Sequence, residues 1–287
     1  MNDIGLIGNF ISSSQMPDLM RKLGNEFETP IKYSLFDFSQ KKNVNLKNIV
    51  NNFKKKKFLG IGVTYPYKEK ILEVVQSFGK EVDLTKASNT LIFGNEIVAR
   101  NTDFLGFVKS LEFHFKNELK NILVIGGGGV GRAVCFGLAE FGVEKIYLME
   151  KDLNKSNKLI NELRNQSINC VSLKIRDLIE VQGDLEGIVN CTPIGHNSSL
   201  GNPLPQLVTS KNQWVYDVVY TPAKTDFLRT AERKNSMIIY GVDLFIFQGI
   251  EAYILFTNQN KNRNIIYKKN KKNQDLLFKK VGILILS

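Results

Sequence analysis

The stretch Ile122-Leu123-Val124-Ile125-Gly126-Gly127-Gly128-Gly129-Val130-Gly131 decides the fold. Four consecutive apolar residues read as a buried strand, and Val130 to Phe141 carries the apolar spacing of a helix. Gly126, Gly128 and Gly131 fall between the two in a G-x-G-x-x-G pattern. Such glycines permit a tight turn and close backbone approach to a pyrophosphate, which then rests on the positive helix N-terminus. A dinucleotide-binding unit is the reading this context favours; a glycine loop without ligand is the alternative. A second apolar strand, Lys145 to Met149, ends in Glu150. An acidic residue about 20 positions beyond the glycines is placed for the adenosine ribose 2′-hydroxyl. A 2′-phosphate there would meet repulsion of roughly 3 kcal/mol per unit charge at about 5 Å and an effective dielectric near 20. Lys151 acts in the opposite sense and partly screens a phosphate. The carboxylate's position favours NAD over NADP.

Working outward, 287 residues suffice for one large or two medium domains, and 43% hydrophobic with 23% charged residues describes a soluble globular chain. The N-terminus lacks a signal-peptide pattern and no apolar run reaches membrane-spanning length, so the cytoplasm is the expected compartment. Cys135, Cys170 and Cys191 lack metal-ligand spacing, and His114 and His196 form no His-rich cluster, so no metal site is expected. The net charge of +11 is concentrated at one end, where eight basic residues from Lys261 to Lys280 face only Asp275. A Lys/Asn run of this kind reads as a solvated tail, and without interleaved aromatics it gives no nucleic-acid site.

Strand and helix signals alternate almost throughout, which predicts an α/β fold with mainly parallel sheets. The first half reads strand Ile4–Gly8, helix Pro17–Phe27, strand Ile31–Phe38, helix Leu46–Lys56 and strand Phe58–Val63. A helix over Pro66–Phe78 is expected next, then strands near Leu91–Phe93 and Ile97–Ala99 and a helix Asp103–Phe115. The nucleotide unit starts at Asn121 and continues through Ile188–Asn190 and Trp214–Val219 to about Ile239, with a last helix at Leu244–Phe256. Two β/α lobes with a ligand cleft between them are the expected arrangement.

Three further segments carry chemistry. In Val63-Thr64-Tyr65-Pro66-Tyr67-Lys68, Pro66 suits a helix first turn and Lys68 would lie within it. There the positive helix end favours a lysine that exchanges protons, though from this segment alone an ordinary surface lysine is the better reading. Arg100-Asn101-Thr102-Asp103 can be a helix N-cap and nothing more, Thr102 and Asp103 suiting that position. Asn190-Cys191-Thr192-Pro193-Ile194-Gly195 breaks an apolar strand with a loop, as expected at a carboxyl end facing a cofactor.

Together with Ser13-Ser14-Gln15-Met16-Pro17, Ala87-Ser88-Asn89-Thr90, Asp217-Val218-Val219-Tyr220-Thr221-Pro222 and Gln248-Gly249, these segments resemble the shikimate dehydrogenases from about Ile4 to Thr257. The quinate/shikimate dehydrogenase branch is the more similar. The resemblance implies a substrate-binding and catalytic domain at 1–103 and a Rossmann-like NAD(P)-binding domain at 104–240. A helix at 241–257 would return to the first domain, and 258–287 would form a poorly ordered tail. It implies reversible hydride transfer between NAD(P) and shikimate or quinate, within aromatic amino acid biosynthesis, in a monomer or homodimer. Lys68 matches the catalytic lysine and Asp103 its partner. Ser14, Thr64, Asn89 and Gln248 match substrate-binding positions, with Tyr33 a further contact. Gly126, Gly128, Gly129, Val130, Gly131, Glu150, Lys151, Thr192, Val219 and Gly241 match the cofactor site.

The chain departs from the family pattern at three places. Met16 stands where a second hydroxyl residue commonly donates to the substrate carboxylate, and losing one charge-assisted hydrogen bond costs roughly 1.5–3 kcal/mol. Gly62 replaces a frequent asparagine, and Glu150-Lys151-Asp152 replaces the Asn-Arg-Thr triplet of many NADP-using members. A non-catalytic sensor of a shikimate-like ligand, or a dehydrogenase for another polyol acid, are the competing readings.

Overall fold

Apolar strands alternate with helices along the chain as the patterning dictates. The computed structural model describes residues 2–260 together with 263, 264, 266 and 267. The chain opens with β1 (Asn2–Gly8), α1 (Met16–Glu26), β2 (Ile31–Asp37), α2 (Leu46–Lys55) and β3 (Gly60–Val63). Next come β4 (Ser77–Phe78), α3 (Lys80–Thr85), β5 (Thr90–Phe93), β6 (Ile97–Arg100) and α4 (Thr102–His114). Then follow β7 (Asn121–Ile125), α5 (Gly129–Phe141), β8 (Lys145–Met149), α6 (Leu153–Asn165), β9 (Cys170–Ser172) and α7 (Leu178–Val181). The last elements are β10 (Gly187–Asn190), β11 (Trp214–Asp217), α8 (Asp226–Glu232), β12 (Met237–Ile239) and α9 (Gly241–Phe256).

Two compact units divide these elements. Among the described residues, one unit comprises those up to Gly106 and those from Ile246 onward; the other is Phe107–Phe245. Each holds one six-stranded sheet.

In the first unit the strand order is β2-β1-β3-β5-β6-β4. β1 pairs in parallel with β2 and β3, whereas β5 runs antiparallel to both β3 and β6. The core on one side gathers Ile7, Val50, Phe53, Ile61, Val63, Ile71 and Leu91. Helix α2 starts where Asn45 Oδ1 accepts the Asn48 N–H at 3.0 Å, satisfying one orphan donor of the first turn.

In the second unit every pairing is parallel and the order is β9-β8-β7-β10-β11-β12. Counted from β7 this is the 3-2-1-4-5-6 order of dinucleotide-binding sheets. Ile122, Leu123, Val124 and Ile125 are at most 5% exposed, as a strand covered on both faces requires. Burying each such side chain contributes about 1.5–3 kcal/mol. The order reverses between β7 and β10, so the loops leaving those two strands open at the switch point where ligands bind.

The helix expected over Pro66–Phe78 does not form. Tyr65, Pro66, Lys68 and Glu69 lie in turns, a short 3-10 helix spans Lys70–Val74, and Ser77 and Phe78 form β4. Ile71 and Val75 still reach the core, and β4 is captured by pairing with β6. Lys68 therefore does not lie in a helix first turn. At the start of α4 the cap is Asn101 rather than Thr102 or Asp103, its Oδ1 accepting the Phe104 N–H at 3.2 Å. The basic tail expected to be poorly ordered falls largely outside the described residues.

Candidate active site

In the first unit, polar side chains gather where strands end or begin. Lys68 follows β3 and Asp103 opens α4, 35 residues on; Lys68 Nζ donates to Asp103 Oδ2 at 2.6 Å, both groups largely shielded from solvent. The helix dipole favours a carboxylate in that first turn. Behind it, buried Glu81 accepts the Arg100 Nε at 2.5 Å and the Asn101 N–H at 3.2 Å, and Asn101 Nδ2 donates to Thr85 Oγ1 at 2.9 Å. These bonds fix the turn from which Asp103 projects.

Asn89 is 8% exposed. Its carbonyl oxygen takes the Thr102 N–H at 2.7 Å and lies 3.0 and 3.1 Å from the Thr90 and Thr102 hydroxyls. With the oxygen committed to the protein, the amide NH2 is the end left to donate to a ligand. Gln248, on α9, accepts from Thr102 Oγ1 at 3.4 Å and donates through Nε2 to Met16 Sδ at 3.1 Å. Ser14 is half-buried before α1 and accepts the Met16 N–H at 3.3 Å; Thr64 is half-buried just past β3, its N–H on Ile7 O at 3.0 Å. Tyr33 rises from β2, and burial pushes its phenol well above the ordinary tyrosine range. The structure thus links Lys68 to Asp103 and, through Thr102 and Met16, joins Asn89, Gln248 and Ser14.

In the second unit, Gly126 leaves β7 at φ +95°, a backbone conformation glycine supports without penalty. A Cβ at Gly131 would collide with Gly126 O, so the third glycine lets α5 pack against the turn. Gly128 caps α5, and a Cβ at either Gly128 or Gly129 would meet nothing within 4 Å. That open face, with Val130 beside it on the first turn of α5, fits a pyrophosphate on the helix N-terminus. Glu150 Oε2 accepts the Gly127 N–H at 2.7 Å and Oε1 the Asp152 N–H at 2.9 Å, so the carboxylate braces the glycine loop. Lys151 beside it is exposed.

The loop after β10 meets the glycine turn: a Cβ on Gly126 would stand 2.9 Å from Thr192 Cγ2. Thr192 is held by Asn190 Oδ1, which accepts its N–H at 3.0 Å and its hydroxyl at 2.7 Å. Burial pushes the Cys191 thiol well above its ordinary range, so it stays neutral. Gly241 packs directly against Val219 O. Buried Asp217, at the end of β11, accepts from Asn190 Nδ2 at 2.8 Å, Val219 N at 3.0 Å and Thr225 Oγ1 at 2.6 Å, and burial pushes its carboxyl up to about 6. Sequence reasoning noted the segments holding Asn190 and Asp217 but not this connection. It missed Glu81, whose side-chain partners Arg100 and Asn101 are distant in sequence, and the capping role of Asn101, which the N-cap preference for asparagine could have signalled. Among the described residues no group of three or more His, Cys, Asp or Glu side chains could hold a metal, and no helix is long and apolar enough to cross a membrane.

The doubly wound sheet with its glycine turn, together with a first unit that carries a lysine–carboxylate pair and a hydrogen-bonded group of neutral side chains, defines a dinucleotide-binding protein of the dehydrogenase class. Residues 6–91 match the family model of the shikimate dehydrogenase substrate binding domain. A shikimate dehydrogenase (NADP(+)) of Clostridium botulinum is 30% identical over 256 residues, 88% of this chain and 95% of the relative. A quinate/shikimate dehydrogenase (NAD(+)) of Corynebacterium glutamicum is 28% identical over 267 residues, 90% of this chain and 94% of the relative. Among solved structures, a quinate dehydrogenase from Corynebacterium glutamicum in complex with NAD superposes with a TM-score of 0.84 at 26% identity, covering 93% of this chain and 99% of that one. The chain belongs to the shikimate dehydrogenase family.

Proposed function

We propose that this protein catalyses reversible NAD(P)-dependent oxidation of a ring hydroxyl of shikimate, and of quinate where the pocket admits it. The first unit takes the substrate and the second the cofactor. The observation that carries the reading is the 2.6 Å pair of Lys68 and Asp103, with Asn89 hydrogen-bonded to the N–H of Thr102, the residue before Asp103. Bound nicotinamide supplies or accepts the hydride. In the reducing direction the Lys68 ammonium donates its proton to the substrate oxygen, whose C=O bond becomes C–OH, and stabilises the negative charge developing there. Asp103 orients that ammonium and accepts from a neighbouring substrate hydroxyl. Ser14, Thr64, Asn89 and Gln248 supply the neutral hydrogen-bonding groups that a hydroxyl-rich acid requires.

NAD is the preferred cofactor in this reading. Glu150 has lone pairs left for ribose hydroxyls after accepting two backbone N–H groups, whereas a 2′-phosphate would approach a carboxylate.

Absorbance at 340 nm with shikimate, quinate, NAD and NADP tests the proposal. Turnover of shikimate or quinate, faster with NAD, is expected. Binding of shikimate without turnover would identify a sensor, and turnover confined to other polyol acids would move the substrate assignment.

A further inference from the structure

The floor of the substrate pocket has a feature that the matched site residues leave unexplained. Strand pairing sets Ile4 of β1 opposite Tyr33 of β2, and Leu6 opposite Gly62 of β3. Tyr33, Ile4, Leu6, Gly60 and Gly62 therefore share one face of the sheet, and Thr64 is the next residue of that face along the chain. A Cβ on Gly62 would stand 2.8 Å from the Tyr33 hydroxyl and 2.9 Å from Leu6 Cδ1. The phenol thus crosses β1 and ends where residue 62 would carry its own side chain. Between Asn2, whose amide donates to Pro30 O, and Thr64, the positions of β1 and β3 on this face (Ile4, Leu6, Gly60 and Gly62) carry no side-chain polar group. Thr90, opposite Gly62 on β5, has its hydroxyl 3.0 Å from Asn89 Oδ1.

The sheet order β2-β1-β3-β5-β6 gives the pocket two ends. Lys68, Asn89 and Asp103 project from the β3, β5 and β6 side. Ser14 lies between β1 and α1, Met16 opens α1, and α1 packs on β2. Tyr33 is rooted on β2 at that second end, and its hydroxyl reaches across β1 toward Gly62 of β3. There Met16 presents a thioether that accepts from the Gln248 amide at 3.1 Å and has no proton to give. Met16 leaves an anionic group here with the Ser14 hydroxyl and short of the second donor, which the phenol can supply.

We propose that the Tyr33 hydroxyl, admitted by the missing side chain at Gly62, is the donor that binds the substrate carboxylate and selects for acids. This rests on the reading that the pocket takes a hydroxylated ring acid. A phenol held protonated by burial donates across the whole working pH range. Gly62 and Tyr33 then form one specificity device: any side chain at 62 displaces the donor.

Calorimetric binding of shikimate and of its methyl ester to the full chain, the Tyr33→Phe variant and the Gly62→Ala variant tests this, with circular dichroism to verify folding. Tyr33→Phe is expected to weaken acid binding by about 10–100-fold, the effect of one charge-assisted hydrogen bond, and ester binding far less. Gly62→Ala should reproduce that acid-to-ester shift; should it fail to fold, Tyr33→Phe alone decides. In turnover, KM for the acid rises while kcat stays within about two-fold. A folded Tyr33→Phe protein with an unchanged acid-to-ester ratio would overturn the proposal, as would an unaltered protein that binds neither compound. Selective acid binding lost in Tyr33→Phe, in a protein without turnover, would uphold Tyr33 while refuting the enzymatic reading.

Discussion

Glu150 braces the glycine turn and, in the proposed function, also sets cofactor choice. Its two oxygens accept backbone N–H groups from Gly127 and Asp152, so the carboxylate holds the glycine turn and the start of α6 together. Replacing it by alanine leaves the Gly127 N–H without that acceptor and removes the charge that a 2′-phosphate would meet. Glu150→Ala should weaken NAD binding by about ten-fold or more, a loss of at least 1.4 kcal/mol, and bring the NAD and NADP dissociation constants closer together. Fluorescence titration of both reduced cofactors measures this, and an unchanged ratio would remove Glu150 as the discriminator. The spacing of about 20 residues beyond the glycines made this carboxylate legible in the sequence. No spacing rule links Lys68 with Asp103, because tertiary structure makes their contact. Only the family resemblance of the separate segments suggested it.

At the scale of elements, the ends of β10 and β11 are joined by a buried acid without a cationic partner among its hydrogen bonds. Asp217 is fully buried and accepts three hydrogen bonds, yet burial raises its carboxyl from 3.8 to about 6. The folded form therefore holds this proton more tightly than the unfolded chain does. Its contribution favours folding below about pH 4 and is lost as pH rises through about 6, a change of about 3 kcal/mol. Asp217→Asn cannot titrate. Urea unfolding from pH 4 to 6.5 should show the native protein losing stability relative to this variant by about that amount, whereas parallel curves would contradict the raised carboxyl. The segment after Pro66 shows where element reading fails. Ile71, Leu72, Val74 and Val75 space like a helix face, but pairing of Ser77 and Phe78 with β6 ends the helical turn early. Long-range strand pairing of this sort leaves little trace in local periodicity, whereas the β7–α5 turn carries its signal in six adjacent residues.

For the whole molecule, alternation of strands and helices correctly indicated an α/β fold, and the glycine context indicated its nucleotide-binding sheet. The antiparallel placement of β5 and the edge position of β4 were not legible, because two short apolar runs specify neither neighbour nor direction. In the proposed function, proton transfer and cofactor binding fall to different units: Lys68 and Asp103 belong to the first, and the glycine turn belongs to the second. Those two activities should therefore separate on mutation. The most direct test is Lys68→Ala, assayed for shikimate turnover and, in parallel, for NAD affinity. Turnover should fall by about 10²–10⁴, the range for a lost general acid–base group, with the NAD dissociation constant essentially unchanged. Near-normal turnover in that variant would contradict Lys68 as the proton donor.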